Sequence, residues 1–380
     1  MNVLIISLAY APYSGVGAAR MTSLSKYLLN KGCSVSVVCY SSLVFGEKEQ
    51  KREVPKGVKR ICVERLADKG KNRKNIENAV EQAIKEDKFD VCISSVGPYD
   101  TMFFIHKVWT KWKVPYIIDY RDTWLFEKTT IKPTGWLKFK LLVHDYLYQP
   151  VERRAIKYAA KIVSVTRRCQ EDLIDRYRIP GEKCIVIYNG YEDAPSDDIE
   201  SAYNEYVIGI AGKFASYNQE AAESFLAVCK EVNAEEAVKV LHIGNREELL
   251  AKNYSEVYYG AGEKNHKDTM AELAKADALL VSYAHICGLG TKVFDYIALN
   301  KPIIYVGVVP SELADFVGQF ENSYICADRV QMEKTIRKLL QKKEKFLTVK
   351  DVTIYSREKQ NEMFMGTIFK TKQEVKNNEH

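Results

Sequence analysis

Short apolar runs alternate with amphipathic segments along most of the chain. In the first half, the runs predict strands at 3–7, 35–39, 58–63, 91–95, 116–119, 162–165 and 185–188. Helical spacing of apolar residues predicts helices between them, at 18–29, 75–88, 101–111, 131–158 and 167–176. Uninterrupted apolar strands separated by helices are typical of a parallel sheet covered on both faces, so the pattern predicts an α/β fold.

The alternation starts again in the second half. Strands are predicted at 207–211, 238–243, 257–259, 279–281 and 303–306, and helices at 219–230, near Thr291, at 329–342 and at 355–369. A length of 380 residues is enough for two or three domains, each with its own core. Asn189-Gly190 is a turn signal between the two series of strands. We therefore predict a first domain at 1–189 and a second at 190–351, with 343–351 as a linker to the last helix.

The loop after the first strand contains Gly15 and Gly17. It is not a dinucleotide-binding fingerprint, because Arg20 stands where the third glycine belongs and no acidic residue ends the second strand. A phosphate or sugar contact at these glycines and a plain tight turn both remain compatible with the pattern.

Polar side chains follow two other strands of the first half. Asp100 comes shortly after 91–95, and Arg121 and Asp122 come directly after 116–119. Ligands of open α/β sheets bind at the carboxyl ends of the strands, so Arg121 is a candidate forked donor and Asp122 a candidate acceptor. A structural Asp–Arg pair that fixes the loop is the alternative.

The second half carries a glycine-containing loop before a predicted helix. Gly288 and Gly290 allow backbone to approach a ligand, and Thr291 and Lys292 stand where the helix begins. Asp295 follows Lys292 by three residues and shares its helix face, where it can accept a hydrogen bond from a sugar hydroxyl. Phosphate and ribose contacts together indicate a nucleotide, although glycines and a lysine also follow strands in loops without ligands.

Composition and charge narrow the function. There is no apolar run of 18 residues and no metal-binding histidine spacing, so we expect a cytoplasmic protein without a metal site. The net charge of +6 is unevenly divided. Residues 1–190 carry 33 Lys and Arg against 20 Asp and Glu, a net +13, and the remainder is −7. The first half is therefore expected to meet an anionic partner, which could be a membrane surface, a pyrophosphate or a nucleic acid.

The predicted helix at 131–158 offers one such surface. Its apolar residues Trp136, Phe139, Leu142 and Val143 share a face, while Lys138 and Lys140 point elsewhere. This pattern is found in helices that lie on membranes and also in helices that face a core. Pro150 is expected to bend or restart the helix.

Five segments, in this order, resemble glycosyltransferase family 4: AYAPYSGVGAAR, IIDYRDTW, SVTRRCQEDL, VIYNGYED and GTKVFDYIALNKPII. The resemblance covers the chain from Met1 to about residue 369. It implies the GT-B fold, in which two Rossmann-like domains face each other across a cleft and a C-terminal helix, here 352–372, crosses back to the N-terminal domain. It also implies an acceptor on the N-terminal domain, a donor nucleotide on the C-terminal one, and transfer that retains anomeric configuration without a metal.

Carried over to this chain, the resemblance places Gly212 and Lys213 after the first strand of the second domain, with Lys213 neutralising the donor diphosphate. Lys292 lies on the same phosphates, with Gly290 and Thr291 beside it, and Asp295 holds the ribose. Arg121 falls where related enzymes place a sugar-pocket histidine, and Gly15 and Gly17 fall in the glycine loop near the reacting phosphate. Two positions depart from the family: Cys287 replaces the first motif glutamate, and Ser216-Tyr217-Asn218 replaces the second phosphate lysine.

We therefore predict a retaining glycosyltransferase of cell-surface polysaccharide synthesis. It would use a UDP- or GDP-linked sugar as substrate and no cofactor, and its acceptor would be a growing lipid-linked glycan at an anionic membrane face. Catalysis is assigned to Lys213, Lys292, Arg121 and Asp122, and acceptor binding to Arg20 and Asp100. The alternatives are a nucleotide-sugar epimerase of the same fold and a catalytically degenerate partner subunit. No nucleic-acid partner is predicted, since no recognised binding motif is present.

Overall fold

The computed structural model describes residues 1–13, 15–41, 52–122, 124, 135–192, 203–245, 247–283, 286–342 and 352–378. The chain divides into two compact units, Met1–Asn189 together with Arg357–His380, and Gly190–Ser356. Each unit contains one parallel sheet with helices, which confirms the predicted α/β class.

The first unit is built on a seven-stranded sheet. Its strands are β1 (Asn2–Ile6), β2 (Ser34–Tyr40), β3 (Lys59–Val63), β4 (Val91–Val96), β5 (Tyr116–Tyr120), β6 (Lys161–Ser164) and β7 (Cys184–Val186). The helices are α1 (Val16–Asn30), α2 (Lys69–Glu86), α3 (His106–Thr110), α4 (Gly135–Tyr158) and α5 (Arg167–Tyr177), and Asp100–Phe103 and Gly181–Lys183 form 3₁₀ turns. The strand order β3-β2-β1-β4-β5-β6-β7 reverses direction between β1 and β4, where doubly wound sheets bind ligands.

Apolar residues cover both faces of this sheet. Leu4 and Ile6 of β1 belong to one core cluster, and Val3 and Ile5 belong to another. Alternate side chains of a strand point to opposite faces, so both faces are buried. This is why the strands read as continuous apolar runs and were recognisable in the sequence.

The second unit is built on a six-stranded sheet of order β10-β9-β8-β11-β12-β13. Its strands are β8 (Tyr206–Ala211), β9 (Val238–Ile243), β10 (Tyr258–Gly260), β11 (Ala278–Tyr283), β12 (Ile303–Gly307) and β13 (Ser323–Cys326). The helices are α6 (Gln219–Asn233), α7 (Glu248–Asn253), α8 (His266–Leu273), α9 (Lys292–Ala298), α10 (Glu312–Val317) and α11 (Arg329–Lys342), followed by a 3₁₀ turn at Val352–Tyr355.

The last helix, α12 (Arg357–Asn378), returns to the first unit, as predicted. Its Phe364 and Ile368 are buried in the same core cluster as Val3 and Ile5. Gln360 accepts a hydrogen bond from the backbone N–H of Tyr188 at 2.7 Å. The helix continues to Asn378, beyond the predicted end at residue 372.

Several other predicted boundaries were wrong. α2 begins at Lys69 rather than residue 75, because Asp68 caps it by accepting a hydrogen bond from the N–H of Lys71. α4 runs through Pro150 without a restart. The segment predicted as one helix at 101–111 is a 3₁₀ turn followed by α3. The short elements α7, α8, α10 and β13 were not predicted, and the predicted linker 343–351 lies outside the described residues.

Candidate functional site

The second unit contains a cavity of about 400 Å³ at the carboxyl ends of β8 and β9, beside α8 and α9. Four residues predicted to bind the donor line it, namely Gly212, Thr291, Lys292 and Asp295. Glu263, Lys264 and His266, which the sequence did not single out as site residues, line it as well. Residues up to 85 positions apart in sequence are thus brought to one site.

Helix α9 is attached to the end of β8 through two side chains one turn apart. The Lys292 ammonium donates to the carbonyl oxygen of Ala211 at 2.5 Å, and the Tyr296 hydroxyl accepts from the N–H of Ala211 at 2.8 Å. Gly212 follows with φ of 72°, and a β-carbon there would overlap the Lys292 ammonium. Glycine is therefore required at this position both for its conformation and for the space that Lys292 occupies.

The charge in this cavity is unusual because Lys292 is a half-buried ammonium beside a second lysine. Burial lowers the pKa of Lys292 to about 8, and the nearby charge of Lys213 acts in the same direction. Both ammonium groups lie near the Tyr217 ring, Lys292 at 5.0 Å and Lys213 at 5.7 Å from its centroid. Two cations held this close repel each other, so an anion bound beside them would be strongly favoured.

The loop that carries Lys213 is held by a carboxylate. Glu247 accepts hydrogen bonds from the N–H groups of Phe214, Ala215 and Ser216 at 3.1, 2.8 and 3.2 Å. Burial raises the pKa of Glu247, but these donors outweigh it, and the pKa lies below its usual value. The buried His242 ring contacts the carbonyl oxygen of Gly212 in the same loop. Neither Glu247 nor His242 was predicted as a site residue, although each follows or ends a predicted strand.

Asp295 lies at the cavity wall, as its predicted role requires. One of its carboxylate oxygens is 3.2 Å from Nε2 of His266. Helix α9 itself is only seven residues long and Thr291 makes no capping bond through its side chain. The lysines, rather than the helix dipole, therefore supply most of the positive charge here. Gly290 precedes Thr291 in a left-handed conformation with φ of 69°, and Cys287 is half-buried.

In the first unit, Arg121 lies beside the start of α1. Gly15 caps this helix without a side-chain hydrogen bond, and a β-carbon at Gly17 would overlap Nη1 of Arg121. Nε of Arg121 donates a long hydrogen bond to the Val96 carbonyl at 3.4 Å. Among the described residues, no carboxylate pairs with Arg121, so the alternative of a structural pair with Asp122 is not formed. The guanidinium and the N-terminal N–H groups of α1 together suit an anion.

The two residues assigned to acceptor binding lie in different environments. Arg20 is 6% exposed and pairs with Asp119, its Nε lying 3.0 Å from Oδ1, while its Nη1 donates to the Tyr188 carbonyl at 2.7 Å. This buried pairing argues against the predicted acceptor contact and gives Arg20 a structural role. Asp100 is partly exposed and lies 3.4 Å from Nε of Arg73. Asp122 is exposed, and its carbonyl oxygen accepts a hydrogen bond from the Tyr99 hydroxyl.

Two further features concern the described residues only. No three of their His, Cys, Asp or Glu side chains gather around a point that would hold a metal ion. None of the helices in the described ranges combines the length and the apolar content needed to cross a bilayer.

Family models match both halves of the chain. Residues 17–194 match Glycosyltransferase Family 4, and residues 205–342 match Glycosyl transferases group 1. No curated protein matches the sequence. Many solved structures share the fold. Three of them are described next, and each is 12% identical in sequence to this chain.

Sucrose-phosphate synthase from Thermosynechococcus elongatus is similar with a TM-score of 0.69, over 97% of this chain and 98% of that one. HepE from Anabaena in complex with UDP-glucose is similar with a TM-score of 0.61, over 100% of this chain and 99% of that one. UDP-GlcNAc 2-epimerase from Neisseria meningitidis bound to UDP-GlcNAc is similar with a TM-score of 0.62, over 97% of this chain and 100% of that one. These similarities show the fold of the chain.

Proposed function

The chain belongs to the glycosyltransferases of the GT-B fold, and on that basis we propose that it transfers a sugar, with retention of configuration, from a nucleotide sugar to a glycan acceptor. One observation carries this proposal: Lys213 and Lys292 hold two ammonium groups around Tyr217, in and beside a cavity that Asp295 also lines. A diphosphate would neutralise the lysines while Asp295 accepts a ribose hydroxyl.

The chemistry follows from these groups. An acceptor hydroxyl oxygen bonds to the anomeric carbon of the donor as the bond from that carbon to the phosphate oxygen breaks. The electron pair of the broken bond goes to the leaving nucleoside diphosphate, which also takes the hydroxyl proton. Lys213 and Lys292 stabilise the charge that develops on the leaving group, so this step needs neither a strong base nor a metal. Gly212, Gly290 and Thr291 let the backbone approach the same phosphates.

In the first unit, Arg121 with Gly15 and Gly17 would bind an anionic group of a substrate. Asp122 is proposed to position the acceptor hydroxyl, and Asp100 is the second candidate for this role. For the donor, a uridine nucleotide is favoured over guanosine, because the similar structures of HepE and the epimerase hold UDP-glucose and UDP-GlcNAc.

We further propose that the acceptor is lipid-linked, in polysaccharide synthesis, and that the protein docks peripherally on the cytoplasmic face of a membrane through the first half of α4. Trp136, Phe139, Leu142 and Val143 are all exposed there, Trp136 by 76% and Leu142 by 57%. This exposure favours a membrane-facing role of these side chains over a core-facing one. Lys138 and Lys140 are exposed on the same stretch, which matches an anionic lipid surface.

A nucleotide-sugar epimerase remains the second candidate, because the Neisseria enzyme shares the fold. A degenerate partner subunit is the third, and Cys287 in place of the motif glutamate is the observation that favours it. Incubation of the protein with a nucleotide sugar and no acceptor separates the enzymes, since only an epimerase would yield an epimer. A partner subunit would give no product with or without acceptor.

The proposal is tested by nucleotide binding and transfer. We expect UDP to raise the Tm of the protein, since a ligand that binds only the folded state stabilises it. Lys292→Ala should lower kcat/KM by on the order of 10², as does loss of one donor to a developing anion. Lys252→Ala, which changes an exposed lysine of the same unit, should leave kcat/KM unchanged. Wild-type transfer by purified Lys292→Ala would exclude this role for Lys292.

A further inference from the structure

A second cavity, of about 560 Å³, lies within the first unit beyond the carboxyl ends of β3 and β4. The first turns of α2, the 3₁₀ turn at Asp100–Phe103 and the middle of α4 surround it. Of its lining residues, Asp100 alone has been assigned a role above. The cavity has the size and the position of a small-molecule site in an open α/β sheet.

One wall of the cavity is aromatic. The Tyr99 and Trp124 rings are stacked, with centroids 5.6 Å apart and planes 9° apart. Phe103 meets Trp124 edge-on at 5.6 Å, and Tyr148 lies 5.3 Å from Trp124. These contacts fix each ring, so little side-chain entropy is lost when a ligand packs against them. Such a wall suits the apolar C–H face of a sugar ring.

A basic rim adjoins this aromatic wall. The Arg73 guanidinium lies 3.5 Å from the centroid of the Phe103 ring, and its Nε is 3.4 Å from the Asp100 carboxylate. Within the described part of the chain, the Nη groups of Arg73 have no hydrogen-bond acceptor, and the Lys69 ammonium has no acidic partner. Arg65 also lines the cavity.

The aromatic wall and the basic rim would contact different parts of a ligand. A neutral sugar would satisfy the aromatic wall but would leave the forked Nη donors of Arg73 without a charged partner. A ligand that also carries a carboxylate or phosphate would satisfy both. Asp100 then orients Arg73 rather than acting as a base, because its carboxylate faces that guanidinium.

We propose that this cavity is the acceptor subsite and that it takes an anionic sugar, with the ring against Trp124 and the anionic group on Arg73 and Lys69. The proposal rests on the glycosyltransferase function proposed above and specifies its acceptor. The anion has two sources, the phosphate that joins a sugar to a lipid carrier and the carboxylate of a uronic acid. His144 and Tyr148 of the cavity lie on α4, the helix whose exposed apolar side chains are proposed to meet the membrane.

The test is calorimetric titration of the full chain in saturating UDP, which keeps ligands off the donor phosphate site. The probes are methyl glucoside, glucuronic acid, glucose 1-phosphate and inorganic phosphate. We expect one or both anionic sugars to bind on the order of 10-fold or more tightly than the neutral glycoside and than phosphate alone. Preference for glucose 1-phosphate identifies the lipid phosphate as the source, and preference for glucuronic acid identifies a uronic acid.

Variants locate the site. Arg73→Gln should remove most of the preference for the anionic sugar, and Lys69→Gln should weaken it without a folding defect, since Lys69 is exposed and has no acidic partner in the described residues. Lys71→Gln, on the same turn of α2 but outside the cavity, is the matched control and should bind as the wild type does.

Equal binding of neutral and anionic sugars, or no sugar binding while UDP still binds, overturns the acceptor proposal and leaves the donor function standing. Loss of UDP binding as well would overturn both. A wild-type preference in Lys69→Gln and Arg73→Gln would place the anion elsewhere and also overturn the proposal.

Discussion

The ammonium of Lys292 predicts how nucleotide binding depends on pH. Its pKa is lowered to about 8 by burial and by Lys213, so its charge is lost as the pH rises through about 8. An ordinary lysine would keep its charge until about pH 10, and the terminal phosphate of UDP is already ionised above about pH 6. We therefore expect the affinity for UDP to fall by on the order of 10-fold between about pH 7 and pH 9, measured by calorimetry.

A variant without the titrating group provides the control. Lys292→Met keeps the buried side-chain volume and removes the charge, so its affinity for UDP should be weak at about pH 7 and nearly constant up to about pH 9. A wild-type affinity that does not change over this range would show that the charge of Lys292 does not contact the phosphates.

The sequence identified Lys292 and Asp295 but not the residues that support them. A glycine loop before a helix is a local pattern, and both residues lie within it. Glu247 acts on backbone N–H groups of Phe214 to Ser216, more than 30 positions earlier, and such an approach is set by tertiary structure. Arg20 was assigned to the acceptor because the sequence does not show its structural partner. That partner, Asp119, is 99 residues away and pairs with Arg20 in a buried position.

At the scale of helices, alanine substitution of two helical glycines is expected to affect the stability of the protein and its transfer activity differently. Gly17 lies in α1 and Gly366 in α12, both within helical backbone, where alanine is favoured over glycine by roughly 0.5–1 kcal/mol. A β-carbon at Gly366 would meet no atom within 4 Å, whereas at Gly17 it would overlap Nη1 of Arg121. The flexible end of Arg121 can move aside, but only by leaving its position at the start of α1.

We therefore expect Gly366→Ala to raise the free energy of unfolding slightly, with unchanged transfer. Gly17→Ala should leave stability near the wild-type value but lower kcat/KM by on the order of 10-fold, because the displaced guanidinium no longer meets the substrate anion. Chemical denaturation and initial rates measure the two effects. Equal transfer rates in the two variants would show that the guanidinium of Arg121 does not contact the substrate anion.

Buried strands were predicted more accurately than exposed helix ends and short helices, and the difference has a physical reason. Strand β1 is buried on both faces from Val3 to Ile6, so this part of its sequence is apolar and easily recognised. The start of α2 is solvent-exposed and lysine-rich, and its position is fixed by the Asp68 cap rather than by apolar spacing. The six-residue helices α7 and α10 are too short for a periodic pattern to identify them.

At the scale of the whole molecule, charge and exposed apolar surface coincide. The first half of the chain carries a net +13 and the second a net −7, and the exposed apolar residues of α4 belong to the basic half. Electrostatic attraction would bring this half to an anionic membrane, and insertion of the apolar side chains would hold it there. The two contributions differ in their response to salt, because ions screen only the first.

This difference gives a test by co-sedimentation with vesicles of neutral and anionic lipid. Trp136→Ser with Leu142→Ser removes exposed side chains worth about 1.5–3 kcal/mol each on burial, so binding should fall at least 10-fold at every salt concentration. Lys138→Gln with Lys140→Gln removes about 1 kcal/mol per charge, so binding should fall mainly at low salt. Leu249→Ser changes a residue that is 65% exposed on α7, in the acidic half, and should have no effect. If Leu249→Ser reduces binding as much as the α4 variants, or if the wild type does not sediment with anionic vesicles, α4 is not the membrane contact.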